Sequence, residues 1–442
     1  MQIYGDSARE IDIAEFAREV LRQSPAPHCF ASQRAFLIAC GQLEQLVWDA
    51  PGASQSLRAE SLRATDHAAA AFYSSWSPAH AQAPPVDWRA EDEIERAQTS
   101  VARVASHGSA RGSIKVPEGF AFYALYPEQY CASAVRYLSR HHSHVGMAHV
   151  FGLRSIGTTL SAVVAIVLKA ARFEHCRYTV RPCGHPFRRE LELPRAFGPE
   201  DSALVVDEGP GLSGSSFFAA ACALDSARVP AQRCAYFCAH DRVPGTMASA
   251  EIQGFWRDAE RYAAAAEEPR VGREGTLGAA LSAGLSRNFA GNCSRLRDVS
   301  GGSWRRFAFA HEDEWPAAYR QFERPKYLAE FADGRRVLLK FYGQVLRADA
   351  AGCWQSADRA AASSIGASGS QVVTIHGYVA RRWIDGRPLS RADKRTHQCE
   401  RLAAFLVRRT SMRARGAQGA PGTYVGCSGR MAPEEWLRLA SG

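Results

Sequence analysis

The residues of this chain best placed to do chemistry lie in Leu204-Val-Val-Asp207-Glu208-Gly-Pro-Gly-Leu-Ser213-Gly214-Ser215-Ser216-Phe217. Three apolar residues have the character of a buried strand, an acidic pair stands at its end, and small residues lead into a helix. In an open parallel sheet, ligands bind beyond the carboxyl ends of the strands. A phosphate there meets free backbone N–H groups and the positive end of a helix dipole. Ser213, Gly214, Ser215 and Ser216 supply such amides with little side chain in the way, and their hydroxyls add donors. Asp207 and Glu208 suit the 2′- and 3′-hydroxyls of a ribose, directly or through Mg²⁺. A second strand-to-helix loop stands upstream, in Val150-Phe-Gly152-Leu-Arg154-Ser155-Ile-Gly157-Thr158-Thr159. There Arg154 can pair bidentately with a phosphate, with Ser155, Thr158 and Thr159 as further donors. Between the two loops lies Arg177-Tyr-Thr-Val-Arg181-Pro-Cys-Gly184-His185-Pro-Phe-Arg188-Arg189, rich in cationic side chains.

This order of parts resembles the PRPP-binding motif of type I phosphoribosyltransferases: apolar strand, two acids, a short turn, then a small-residue loop opening a helix. The resemblance implies that Asp207 and Glu208 hold the ribose hydroxyls, with Mg²⁺ as cofactor, and that Ser213, Gly214, Ser215 and Ser216 hold the 5′-phosphate. It also implies that the upstream loop, with Arg154, Ser155, Gly157 and Thr158, binds the pyrophosphate. The arginine-rich stretch takes the place of the family's flexible hood, with Arg181, His185 and Arg188 closing over PRPP and excluding water. Displacing pyrophosphate from C1 of the ribose passes through an oxocarbenium-like state. The catalytic work, assigned to Asp207, Glu208 and Arg154, is then neutralisation of the leaving group and positioning of an acceptor on the opposite face. The expected function is transfer of a 5-phosphoribosyl group to a nucleobase-like or other small acceptor.

Plainer readings stand beside these. Asp207 and Glu208 read also as a capping or salt-bridged pair at a turn, Arg154 as a surface charge, and the hood arginines as the solvated face of a hairpin. His175, Cys176, Cys183 and His185 have no Cys-x-x-Cys spacing and read as a chance cluster rather than a zinc site. His141, His142 and His144 read as partners of helix-terminal carbonyls.

The elements that must position the site follow from periodicity. Residues 114–250 alternate strands and helices, which implies right-handed crossovers and a parallel sheet with flanking helices. Strands are expected at 119–126, 144–152, 203–206 and 234–239, β-rich stretches at 177–181 and 187–193, and helices at 128–143, 159–171 and 216–228. Residues 1–113 read as a mainly helical domain, with Asp12 capping one helix and a second over 32–49. The stretch 106–113, rich in Gly and Ser, reads as a linker. Residues 251–303 read as a helical connector.

From 304 to 442 a different unit is expected. Lys326 to Lys340 reads as a hairpin turning at Asp333-Gly334, and 377–386 as a further strand. Lys340 and the Trp383-Ile-Asp-Gly-Arg-Pro-Leu389 segment resemble the N-lobe of aminoglycoside phosphotransferase and protein kinase-like proteins. The resemblance implies a nucleotide contact at Lys340. No catalytic-loop Asp and no metal-binding Asp-Phe-Gly equivalent follows, so phosphoryl transfer lacks its machinery there. The tail, 408–429, is rich in Gly and Arg and reads as disordered.

A net charge of +9 suits an anionic partner. Charge alone does not separate nucleic acid from a phosphorylated small molecule. The site favours the small molecule: PRPP or another phosphoribosyl ligand, with a small acceptor. Twelve cysteines at irregular spacings do not make a disulfide scaffold. The N-terminus has no signal-peptide pattern, and the apolar stretch 156–168 is too short to span a membrane. A cytoplasmic protein is the expectation, with homodimers common in the resembling family. Two other functions stay open: a PRPP- or nucleotide-sensing protein without catalysis, and a kinase-like phosphotransferase.

Overall fold

The computed structural model describes residues 8–27, 29–107, 110–141, 146–194, 196–265, 271, 275–318, 323–344 and 373–383. The chain divides into two compact units, residues 1–283 with 342–345, and residues 284–341 with 346–442.

The first unit opens with β1 (Ala8–Asp12) and α1 (Ile13–Arg22). As expected, Asp12 caps α1, its carboxylate accepting the Glu15 amide at 2.9 Å. Then come α2 (Phe30–Asp49), α3 (Gln55–Trp76) and α4 (Ala90–Ser106). Of the expected linker at 106–113, Ser106 ends α4 and residues 111–113 start β2 (Arg111–Lys115), which pairs antiparallel with β1; 108–109 lie outside the described residues. Gly112 serves close packing rather than flexibility, because a Cβ there would stand 2.9 Å from the Leu46 side chain.

The strand expected over 119–126 does not form. Glu118–Phe122 is a short helix, α5, and the Leu125 amide closes back onto the Gly119 carbonyl at 3.1 Å. The run Phe-Ala-Phe-Tyr lacks the apolar–polar alternation of a half-buried strand. α6 (Pro127–Arg140) follows.

The remaining elements build the sheet: β3 (Ala148–Leu153), α7 (Ile156–Ala170), β4 (His175–Val180), the small hairpin β5 (Cys183–His185) and β6 (Arg188–Glu190), β7 (Ser202–Val206), α8 (Ser215–Ser226), β8 (Cys234–Cys238), α9 (Ala250–Asp258) and β9 (Glu260–Ala263). Five strands pair in the order β4-β3-β7-β8-β9, every neighbour parallel. β9 lies where a helical connector is expected, since four residues are too few to reveal a period. After α10 (Leu277–Asn288) the rest of that connector is likewise partly strand.

Alternation along the strands divides two cores. Val150, Leu204, Val206 and Phe237 face α6, α7 and the N-terminal helices in one continuous cluster. Phe151, Val205 and Tyr236 face α8 and α9. The N-terminal helices therefore share their core with the sheet instead of forming a separate body over 1–113.

The second unit holds a five-stranded antiparallel sheet in the order β10-β11-β12-β14-β13, formed by β10 (Cys293–Asp298), β11 (Lys326–Phe331), β12 (Arg336–Phe341), β13 (Val373–Ile375) and β14 (Tyr378–Arg382). The β11–β12 hairpin turns at Asp333-Gly334 as expected, with Gly334 at φ +82°. The segment 384–389, the tail at 408–429, and His142 and His144 lie outside the described residues. Among the described residues no helix is long and apolar enough to cross a membrane.

Candidate functional site

Strand order reverses between β3 and β7. From β3 the chain crosses outward to β4 on one side, then returns to place β7 on the other. Such a switch point opens a crevice at the carboxyl ends of the strands, the preferred ligand position of open α/β sheets. Two loops meet there: Arg154-Ser155, between β3 and α7, and residues 207–214, between β7 and α8.

Asp207 and Glu208 directly follow β7. The Asp207 amide donates to the Phe237 carbonyl at 3.1 Å, and the Glu208 carbonyl accepts from the Ala239 amide at 3.0 Å, so β8 fixes both backbones. The buried Tyr130 hydroxyl of α6 donates to the Asp207 carbonyl at 2.6 Å. Burial pushes the Asp207 carboxyl up to about 7, with Arg181 pulling the other way. Burial, then the charges of Asp207 and Glu118, push Glu208 up to about 8, against the Gly119 amide. Gly119 comes so close that a Cβ would stand 2.9 Å from Glu208 Oε2. Two adjacent acids thus stand at the carboxyl end of β7 where burial disfavours their charge, and cationic or hydroxyl-bearing ligands relieve that cost.

The small-residue loop reaches α8 through Gly214, at φ +65° in the left-handed region, where a Cβ would also meet Ile252 at 2.8 Å. Its donors are partly committed. The Gly214 amide donates to the Pro210 carbonyl at 3.0 Å, and the Ser215 amide to Ser213 Oγ at 3.4 Å. The Ser213 and Ser215 hydroxyls donate to the Pro186 carbonyl at 3.3 and 2.6 Å. The amides of Ser216 and Phe217 have no acceptor among the described residues. These are the open donors at the helix N-terminus, where a phosphate binds most readily.

The upstream loop divides. Gly157 and Thr158 do not line the crevice; they pack the first turn of α7 against the sheet. A Cβ on Gly157 would stand 2.3 Å from the Val206 carbonyl, and the buried Thr158 hydroxyl bonds Thr179 Oγ1 at 3.1 Å. Arg154 and Ser155 stand between the carboxyl end of β3 and the start of α7, partly exposed. Arg154 Nε lies 2.9 Å from Asp49 Oδ1, and its Nη1 donates to the Thr179 carbonyl at 2.9 Å.

The expected hood also divides. Arg177 belongs to β4 and is buried, paired with Glu44 at 2.9 Å and with Asp66 at 2.7 Å. It ties α2 and α3 to the sheet and cannot close over a ligand. Arg181 follows β4, forms an ion pair with Asp49, and donates to the Arg154 carbonyl at 3.2 Å. Only 183–190 forms a projecting hairpin. Its tip touches the Ser213–Ser215 loop through Pro186, and His185, Phe187 and Arg188 on it are exposed.

Among the described residues no group of three or more His, Cys, Asp or Glu side chains is arranged to hold a metal. Mg²⁺ commonly binds through one or two carboxylates, substrate phosphates and water. Asp207 and Glu208 fit that mode.

Asp49, Glu118, Tyr130 and Pro186 were not legible as site residues. Asp49 alone left a signal: an acid at the last position of a helix, where the dipole disfavours negative charge. Compared with known proteins, the chain matches no family model, no curated protein and no solved structure.

Proposed function

We propose that the first unit is a type I phosphoribosyltransferase-like domain that transfers a 5-phosphoribosyl group from PRPP to a small acceptor, releasing pyrophosphate. The observation that carries the reading is the meeting, at the switch point, of an acid pair and a helix N-terminus with open amides. In this reading Asp207 and Glu208 hold the ribose hydroxyls, and the Ser216 and Phe217 amides hold the 5′-phosphate. Arg154 and Arg181 stand where pyrophosphate leaves, and the 183–190 hairpin excludes water. Mg²⁺, held by the acid pair and the phosphates, supplies neutralisation of the departing charge. No covalent nucleophile is required of the chain.

The test is pyrophosphate release from PRPP with Mg²⁺ and a panel of nucleobases and small amines. The native protein is expected to release pyrophosphate with at least one acceptor, and Asp207→Asn with Glu208→Gln to abolish release. Release that survives the double substitution would contradict the assignment.

A second reading is ligand sensing without transfer. It is favoured by one observation: Arg154, expected to neutralise the leaving group, and Arg181, expected to close over PRPP, are both already paired with Asp49. Binding of PRPP without pyrophosphate release from any acceptor supports it. For the second unit the kinase N-lobe resemblance draws support from Lys340, on the third strand of a five-stranded antiparallel sheet, where protein kinases carry their phosphate-pairing lysine. Burial lowers its pKa, and so do Lys326, Arg324 and Arg381, with Glu323 opposing. ATP binding lost in Lys340→Ala is the outcome that reading expects.

A further inference from the structure

Asp49 ends α2, with no basic residue in the helix's last turn to offset the dipole. Its carboxylate is instead paired with two guanidiniums from the residues that follow β3 and β4. Arg154 Nε lies 2.9 Å from Oδ1, Arg181 Nε donates to Oδ1 at 3.2 Å, and a second Arg181 nitrogen pairs with Oδ2. The side chains of Asp49 and Arg154 are only 19% and 12% exposed.

Both arginines have anchors that do not involve Asp49. Arg154 donates to the Thr179 carbonyl and lies over the Trp48 ring, 5.9 Å from its centroid. Arg181 donates to the Arg154 carbonyl. The guanidiniums are therefore held in place whether or not the carboxylate stays. Two guanidiniums share this one carboxylate as their ion-pair partner at the carboxyl ends of β3 and β4. A carboxylate in the fork of an arginine occupies the position a phosphate takes in the same fork.

We infer that Asp49 is the resident counter-anion of a two-arginine phosphate site, and that it admits a diphosphate in preference to a monophosphate. This deepens the phosphoribosyl reading and rests on it for the site's place in the reaction. An entering anion exchanges with Asp49 and works against its charge. A monophosphate, at about −1.5 to −2 near pH 7, gains little from the exchange. A diphosphate carries more charge and reaches both guanidiniums at once.

The test is thermal unfolding and calorimetry of the full chain with inorganic pyrophosphate and, separately, with orthophosphate. Alone, Asp49→Asn is expected to melt below the native protein, because two guanidiniums lose their carboxylate. Pyrophosphate is expected to bind the variant about tenfold tighter than the native protein, as removal of one nearby negative charge implies. Orthophosphate is expected to stabilise the variant and not the native chain. A pyrophosphate affinity equal or weaker in Asp49→Asn, or a native protein that answers both anions alike, would overturn the inference.

If Asp49→Asn does not fold, Arg181→Gln decides. It removes one fork and leaves Arg154 on its own anchors, so the preference for pyrophosphate should be lost; an unchanged preference overturns the inference. Ribose 5-phosphate separates the two ideas. A native protein that binds it, but whose anion response does not follow Asp49, refutes this inference and leaves the phosphoribosyl reading standing. A native protein that binds neither ribose 5-phosphate nor pyrophosphate refutes both.

Discussion

At the scale of the residue, the acid pair gives the sharpest expectation, because its environment works against its charge. Asp207 and Glu208 have ordinary values of 3.8 and 4.5 and are raised to about 7 and about 8 in the fold. A carboxylate with a raised pKa binds more protons folded than unfolded, so stability falls as pH rises between those limits. The double substitution Asp207→Asn, Glu208→Gln removes this dependence. Thermal unfolding of the ligand-free protein should show the variant more stable than the native chain at pH 8, with the gap closing towards pH 4. A gap that widens on acidification would reverse the sign and the argument. The position of both acids at the end of β7 was legible from sequence, because an acidic pair after an apolar run marks where a buried strand stops. Arg177 was not. Its arginine-rich surroundings suggest an exposed hood, whereas its partners Glu44 and Asp66 come from distant helices.

At the scale of the element, the site depends on how closely α7 approaches β7. The first turn of α7 reaches the sheet through Gly157, whose missing side chain leaves room for the Val206 carbonyl. Gly157→Ala forces a methyl group into that contact and should destabilise the fold by about 1–3 kcal/mol, as overpacking does. Denaturant unfolding measures it, and a neutral result would mean that the helix shifts freely. From sequence Gly157 reads as a phosphate ligand, since a glycine in a strand-to-helix loop serves either purpose. β3, β7, β8, α7 and α8 were legible because their apolar periods are long or their runs fully buried. β9, with four residues, and α5, with an apolar run of no clear period, were not. Their identity is set by the neighbours they meet.

At the scale of the whole molecule, the first unit is one compact unit in which the N-terminal helices complete the core over one face of the sheet. Arg177 is a buried polar tie between them, with Glu44 wholly buried beneath it. Arg177→Met leaves that carboxylate without its cation and should cost about 3–5 kcal/mol. Adding Glu44→Gln should recover part of the loss. Equal stability of the single and double variants would contradict the tie. A boundary at 113 is what composition suggests, because helices give way to alternating strands there. Composition cannot reveal that both patterns bury the same core.

The measurement that bears most directly on the central claim is calorimetric titration of the native chain and of Asp207→Asn, Glu208→Gln with PRPP in the presence of Mg²⁺. The account predicts saturable binding at one site per chain in the native protein and none in the double variant. Equal binding by both, or no heat with the native protein, would contradict the claim that this acid pair and the adjoining helix N-terminus hold a phosphoribosyl group.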